Sequence, residues 1–304
     1  MPSLPSHIHF YERGWLSSNN ILLIDDTQSV LIDTGYWTHA LQTQALLQQT
    51  LQDTPLTRII NTHLHSDHCG GNAHLQSVYP QVEIWVPPGH AKHVFDWDPA
   101  ALTYTPTGQH CPPFIAQGVI SPGNVFSVAN HEWHAMAAPG HDPHSIVLFC
   151  PSASVLISAD ALWDNGFGVV FPEIEGIHAF QEVADTLDLI ESLQPQTILP
   201  GHGAPFTDVT GALARARSKL AMYQHEPQKH ALYAAKVLLK FKLLEFQSID
   251  IVQFATWAQS SSYLHTLHQQ HAAHLSFEDW VINLSDSLVS SGAAQRDGPV
   301  LRNV

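Results

Sequence analysis

The chain has 304 residues, 44% of them apolar, and a formal net charge of -15. That is long enough for one large domain, or for a core domain plus a smaller one, and apolar enough to bury a proper core. It excludes a membrane span, because no apolar run approaches the ~18 residues needed, and a disulfide-stapled scaffold, because the three cysteines (Cys69, Cys111, Cys150) are odd in number and unpatterned. A reducing cytoplasm fits such cysteines best. The first residues, MPSLPSHIHFYERGW, carry no basic start and no long apolar stretch, and so do not read as a signal peptide. The charge is uneven: the first 214 residues hold 3 basic and 20 acidic side chains, the last 90 hold 9 and 7. An acidic first part and a nearly neutral tail argue against a nucleic-acid binder. If an anionic group is recognised, the basic residues Arg215, Arg217, Lys219, Lys236, Lys240 and Lys242 are the place to look, with solvated helix faces as the plainer account.

Short apolar runs alternate with turn signals through the first 160 residues. ILLIDD and SVLIDTG read as two strands joined by a tight turn, ALQTQALLQQTLQ as a helix, and TRIINTH and VEIWVPP as buried strands ending in turns. Residues 87–123 are rich in proline and aromatics. They predict a long irregular insert with a short helix around 91–95, either a pocket wall or a packed surface excursion. Strands resume with NVFSVA, SIVLFC and SVLISAD. AFQEVADTLDLIESLQ predicts a helix with Val183, Leu187 and Ile190 on one stripe, and QTILPGHG a strand ending in glycines. Beyond Asp208 the chain reads as helical, interrupted near Pro227 and residues 260–262, and it ends on a hairpin signal at Asp297-Gly298. Helices capped by a small hairpin suggest a winged-helix-like appendage. The expected domains are 1–208 and 209–304.

One turn carries the chemistry. In NTHLHSDHCGG, residues 61–71, His63, His65, Asp67 and His68 precede Gly70-Gly71. His63 and His65 sit at i and i+2 after a predicted strand, so alternation would place both rings on one side. Imidazole and carboxylate suit divalent zinc, iron or manganese, and glycines allow close backbone approach. His141, in APGHDPHS, follows the WHAMAA segment at a turn. Asp160, in LISADALW, and His202, in ILPGHGAP, each follow an apolar strand. Each is weak alone; in this order, with the first cluster, they form a set. The chain has 22 histidines, so no histidine counts without such an argument.

H-x-H-x-D-H followed by His, Asp and His resembles the metallo-β-lactamase superfamily, and Asp33 in LIDTG matches that family's first motif, where an aspartate supports the site. The resemblance runs from about residue 10 to 208. It implies an α+β fold, a four-layer αβ/βα sandwich with the site at one edge. It implies that His63, His65 and His141 bind one metal, that Asp67, His68 and His202 bind a second, and that Asp160 bridges them. Two divalent ions, zinc foremost with iron or manganese as alternatives, would share a hydroxide that attacks an electrophilic carbon or phosphorus. Asp67 would both ligate and orient the nucleophile. Cys69 is not needed as a ligand and reads as a small buried neighbour.

Departures narrow the substrate. His65 stands where the family's diiron oxygen reductases carry Glu. Asp160 has no counterpart in true zinc β-lactamases and is similar to glyoxalase II-like thioesterases, lactonases and nucleases. Trp163 stands where acyl-homoserine lactonases often have Tyr. The leading expectation is a cytoplasmic dinuclear hydrolase acting on a small thioester of the glutathione or coenzyme A type. The alternatives are a lactonase, a sulfur dioxygenase with one iron, an RNA-processing nuclease of the same fold, and a metal-binding protein without activity. Trp163, Phe167 and Phe171 would line an acyl pocket or simply fill the core. His144 is either near the site or solvent-exposed. Homodimerisation is left open.

Overall fold

A computed structural model describes residues 4–304; the first three residues of the stretch read as no leader lie outside them. The chain begins with β1 (Ile8–Tyr11), β2 (Asn20–Ile24) and β3 (Ser29–Ile32), then α1 (Ala40–Leu51), β4 (Leu56–Ile60), α2 (Ser66–Cys69), α3 (Asn72–Val78) and β5 (Glu83–Val86). The insert supplies α4 (Pro88–Asp96), α5 (Tyr104–Thr107) and β6 (Gly118–Val119). The first sheet runs β1-β2-β3-β4-β5-β6. Its first three strands pair antiparallel, β2 and β3 through a short turn, and the rest pair parallel; α1 and α3 make crossovers of the length parallel strands require.

The second half repeats the logic. After β7 (Val125–Val128), β8 (His131–Ala137), β9 (Ile146–Cys150) and β10 (Val155–Ala159) come α6 (Phe171–Ile174), α7 (Phe180–Leu193) and β11 (Thr197–Pro200). The sheet order is β11-β10-β9-β8-β7, antiparallel except for the β10–β11 pair that α7 connects. Alternation in the strands decides the layers. Ile21, Leu23, Val30 and Ile32 face Trp133, Leu148, Ile157 and Leu199 between the sheets. Leu22 and Leu31 face the other way, onto Leu47 and Leu51 of α1 and Leu75 of α3. Val147, Leu156 and Ile198 face Val183, Leu187 and Ile190 of α7. Two sheets face to face, helices outside, make the expected four-layer αβ/βα sandwich. Each large buried side chain contributes about 1.5–3 kcal/mol of transfer free energy, so mismatching one layer would be costly.

From residue 209 the chain is mainly helical: α8 (Val209–His225), α9 (Pro227–Phe246), β12 (Ser248–Asp250), α10 (Ile251–Ala258), α11 (Ser262–His271), α12 (Phe277–Ser290), β13 (Ala294–Asp297) and β14 (Val300–Asn303). Two of its interruptions, at Pro227 and at residues 260–262, fall where the sequence placed them; β12 and the break between α11 and α12 were not anticipated. Pro227 opens α9 at a position that needs no N–H donor, and the Ser261 side chain caps α11 by accepting from Leu264 N. The Asp297-Gly298 turn closes an antiparallel hairpin, joined by β12 into a sheet of order β12-β14-β13 beside the helices. This is the arrangement of a winged-helix-like appendage. α8 itself packs on α7, with Ala212, Leu213, Ala216 and Leu220 in the sandwich's outer core, whereas α9–α12 share a core of their own that reaches Val169 and Ile174. Among the described residues, no helix is long and apolar enough to cross a membrane.

Candidate metal centre

The predicted ligand residues meet at one edge of the sandwich. β4 stops at Ile60, so strand alternation is not what brings His63 and His65 together. The turn does it: His65 is extended (φ -65°, ψ 148°) and caps α2, which carries Asp67 and His68 back over the same spot. Gly70 and Gly71 make this tight return feasible. A Cβ on Gly70 would lie 2.5 Å from the Ser66 carbonyl oxygen and one on Gly71 2.6 Å from that of Thr34. Asp160 follows a register shift in the β10–β11 pairing and a left-handed Ala159 (φ 46°). Such irregularities re-aim a side chain at a strand end. Gly201 keeps the space: a Cβ there would lie 2.2 Å from Asp160 Oδ1.

Two sets of donor atoms result. His63 Nε2 and His141 Nε2 lie 3.1 and 2.9 Å from His65 Nδ1. Three ligands at ~2.0–2.1 Å on tetrahedral positions would be roughly 3.3 Å apart, so these nitrogens need little adjustment to share one ion. Asp67, His68 and His202 form the other set, with His202 Nε2 3.1 Å from Asp67 Oδ2 and His68 Nε2 3.8 Å from the same oxygen. Asp160 faces both: Oδ2 is 3.4 Å from His141 Nε2, and Oδ1 is 3.5 Å from His68 Nε2 and 3.8 Å from His202 Nε2.

The surroundings orient these atoms. Asp33 Oδ2 lies 2.7 Å from His68 Nδ1 and accepts from the Thr62 hydroxyl, while its Oδ1 accepts from Thr62 N. That places the His68 proton on Nδ1 and turns Nε2 inward. His141 Nδ1 likewise donates to the Val169 carbonyl at 2.6 Å. Such partners fix tautomer and ring orientation in histidine metal sites.

The electrostatics fit cations. Burial, then neighbouring imidazoles, holds His63 well below the usual histidine pKa and His65 down to about 4; burial also lowers His141. These rings are neutral at pH 7, the form that ligates. Burial opposes charge on Asp67 and Asp160, but it is outweighed, by His68 foremost at Asp67 and by His202 foremost at Asp160, so both carboxyls sit below their usual range. At His68 burial is overcome by Asp33, Asp160 and Asp67, which raise its pKa. His68 Nε2 is buried without a hydrogen-bond partner among the described residues. A buried, unpartnered nitrogen ringed by carboxylates is a place built for positive charge, which a proton or a divalent cation can supply. The residues present thus fit the pair of metal ions the motifs imply.

The centre opens into a cavity of about 650 Å³ including its mouth, whose wall includes Trp15, Trp163, Phe171, Tyr233, Val237 and Phe241. Trp163 and Phe171 are the acyl-pocket residues the sequence suggested; Phe167 is instead buried in the core beneath Lys219. Thr107 and Gln109 reach the cavity, so the insert is a pocket wall. His144 is half-buried against His90 and does not line the cavity. Cys69 is fully buried, near Tyr104 and Cys111, and not among the donor sets. Sequence reasoning missed Trp15, which stacks on His202 at 5.2 Å, and Tyr233, whose phenol is pushed up to about 12 by burial and then by Asp160. Tyr233 brings to the cavity a hydroxyl that Trp163 lacks.

The family model of the metallo-beta-lactamase superfamily matches residues 13–202. The chain belongs to this superfamily. Among curated relatives, an atrochrysone carboxyl ACP thioesterase of Aspergillus fumigatus is 24% identical over 193 residues, 62% of this chain and 51% of the relative. A hydroxyacylglutathione hydrolase of Pectobacterium atrosepticum is 27% identical over 160 residues, 52% and 49% of the two chains. The superfamily member thus spans about half the length of these two relatives. A crystal structure of a metallo-beta-lactamase family protein from Thermus thermophilus superposes with a TM-score of 0.58 at 18% identity, covering 99% of this chain and 100% of that one. The fold likeness therefore extends through the appendage.

Proposed function

We propose that this protein is a dinuclear metal-dependent hydrolase acting on a small thioester. His63, His65 and His141 would hold one cation, Asp67, His68 and His202 the other, with Asp160 shared. The observation that carries this reading is Asp160, one of whose oxygens faces each nitrogen set. A single-ion site would need only one. Bound there, the ions would supply Lewis acidity and a hydroxide nucleophile at neutral pH. The chain's own residues do the rest. Asp67, an ionised carboxylate at the cavity wall, orients the attacking group. Asp33 and Val169 keep the proton of His68 and of His141 on Nδ1. Trp15, Phe171 and Val237 present an apolar wall that excludes bulk water and strengthens the electrostatics at the reacting carbonyl. The names of two relatives, a thioesterase and a hydrolase of an acylglutathione, support a thioester over a lactam or lactone. We also assign 1–208 as the catalytic unit and 209–304 as the helical unit, whose first helix α8 packs into the outer core of the sandwich, and place the enzyme in the cytoplasm, where three free cysteines persist reduced.

The test is hydrolysis of acylglutathione and N-acetylcysteamine thioesters by zinc-loaded protein. Chelation should lower the rate by at least about 10²-fold, and zinc should restore it. A metal-replete protein inert toward every thioester would remove this reading.

A further inference from the structure

A second cavity, about 800 Å³ to its open mouth, lies on α9 beside the first. Trp15, Tyr233, Val237 and Phe241 line both cavities. Positions 233, 237 and 241 are one row of helix-neighbouring side chains, so the two spaces adjoin along this row, and we read them as one trough leading away from the candidate metal centre. The outer part adds Leu244, Leu288, Lys236 and Lys240. Trp15 covers the junction and is itself 56% exposed, although it stacks on a proposed ligand ring.

The cations along this trough differ. Lys240 donates to the Ala293 carbonyl at 2.6 Å and to Asn303 Oδ1 at 2.5 Å. Lys242 is buried and pairs with Glu245. Among the described residues, ten of the chain's twelve Lys and Arg hold a carboxylate, carbonyl or side-chain oxygen, and Lys236 and Arg302 hold none. Arg302 lines neither cavity. Lys236 is therefore the single unpaired cation on the trough, in a chain whose net charge of -15 otherwise repels anions. The walls leading to it are aliphatic and aromatic. An amide-rich arm would lose its hydrogen bonds to water against such walls without replacement, whereas an alkyl or aryl arm would not.

We propose that the trough binds the acyl side of the substrate, an apolar arm ending in a carboxylate that pairs with Lys236. The inference rests on the hydrolase reading of the inner cavity. Water adds across the acyl–sulfur bond, releasing the thiol and leaving a dicarboxylic acid as the second product. The distal carboxylate takes no part in the bond change.

The experiment compares N-acetylcysteamine mono-thioesters of octanoate and octanedioate on the zinc-loaded full-length protein, and measures octanedioate binding by calorimetry. The octanedioyl thioester should be preferred by about tenfold in kcat/KM, chiefly through KM, as one charge-assisted contact would give. Lys236→Gln should abolish the preference and Lys236→Glu should invert it, with octanedioate affinity falling in step. Lys236 is half-exposed, so neither variant should unfold the chain. If no thioester is cleaved but octanedioate binds in a Lys236-dependent manner, the trough assignment stands and the hydrolase reading fails. If both thioesters are cleaved equally and neither variant changes the ratio or the affinity, the trough assignment is overturned and the hydrolase reading stands.

Discussion

Asp160→Ala should reduce bound metal from about two ions per chain to one or fewer, and kcat/KM on a cleaved thioester on the order of 10³-fold or more. The size follows from its position. Its two oxygens face His141 on one side and His68 and His202 on the other, at 3.4 to 3.8 Å. Removing the carboxylate takes negative charge from both sites at once. Removing a group that only supports a ligand costs ~10–100-fold, and a shared ligand should cost more. Elemental analysis and steady-state kinetics on the same preparation check this. A variant that keeps two ions and full activity would remove Asp160 from its shared role.

Asp33→Asn should weaken one of the two ions selectively, by about 10–100-fold in affinity. The carboxylate accepts at His68 Nδ1 and from Thr62. An amide of the same shape can keep the bond from Thr62 N but turns an NH₂ toward Nδ1. It would then favour the tautomer with its proton on Nε2, the nitrogen that must ligate. His63, His65 and His141 are untouched, so the ion they hold should remain tightly bound. Competition against a chelator of known affinity, followed as two separate steps, resolves the effect. Two unchanged steps would mean that Asp33 does not set the His68 tautomer.

Much of the site was legible because its residues lie in short motifs beside recognisable apolar strands. Asp33 directly follows β3, Asp160 follows β10, and His202 lies two residues past β11; the sheets then bring these ends to one edge. Four of the seven proposed ligands share a single turn, so local spacing alone placed them together. The layers were legible for a related reason, since strand alternation and the α7 stripe carry the burial pattern along the chain. The cavity wall was not legible. α9 buries Ala234, Leu239 and Leu243, and nothing in its periodicity separates these from Tyr233, Val237, Leu238 and Phe241, which line the cavity. Trp15 comes from a loop with no pattern at all. The basic tail misled in the same way. Arg215 pairs with Asp164 and Asp208, Arg217 with Asp188 and Glu191, and Lys219 bonds the Phe167 carbonyl. Lys240 and Lys242 are also engaged. Which cation stays free depends on tertiary partners far away in the chain, and that singled out Lys236. Finally, β4 ends three residues before His63, because the turn that gathers the ligands requires non-strand backbone.

Metal stoichiometry tests the paired metal centre most directly. Elemental analysis of protein purified without chelator and then equilibrated with zinc should give about two ions per chain, with both needed for full thioester hydrolysis. One tightly held ion per chain at full activity would contradict the shared-carboxylate site, and a single iron accompanied by oxygen uptake would contradict the hydrolase as well.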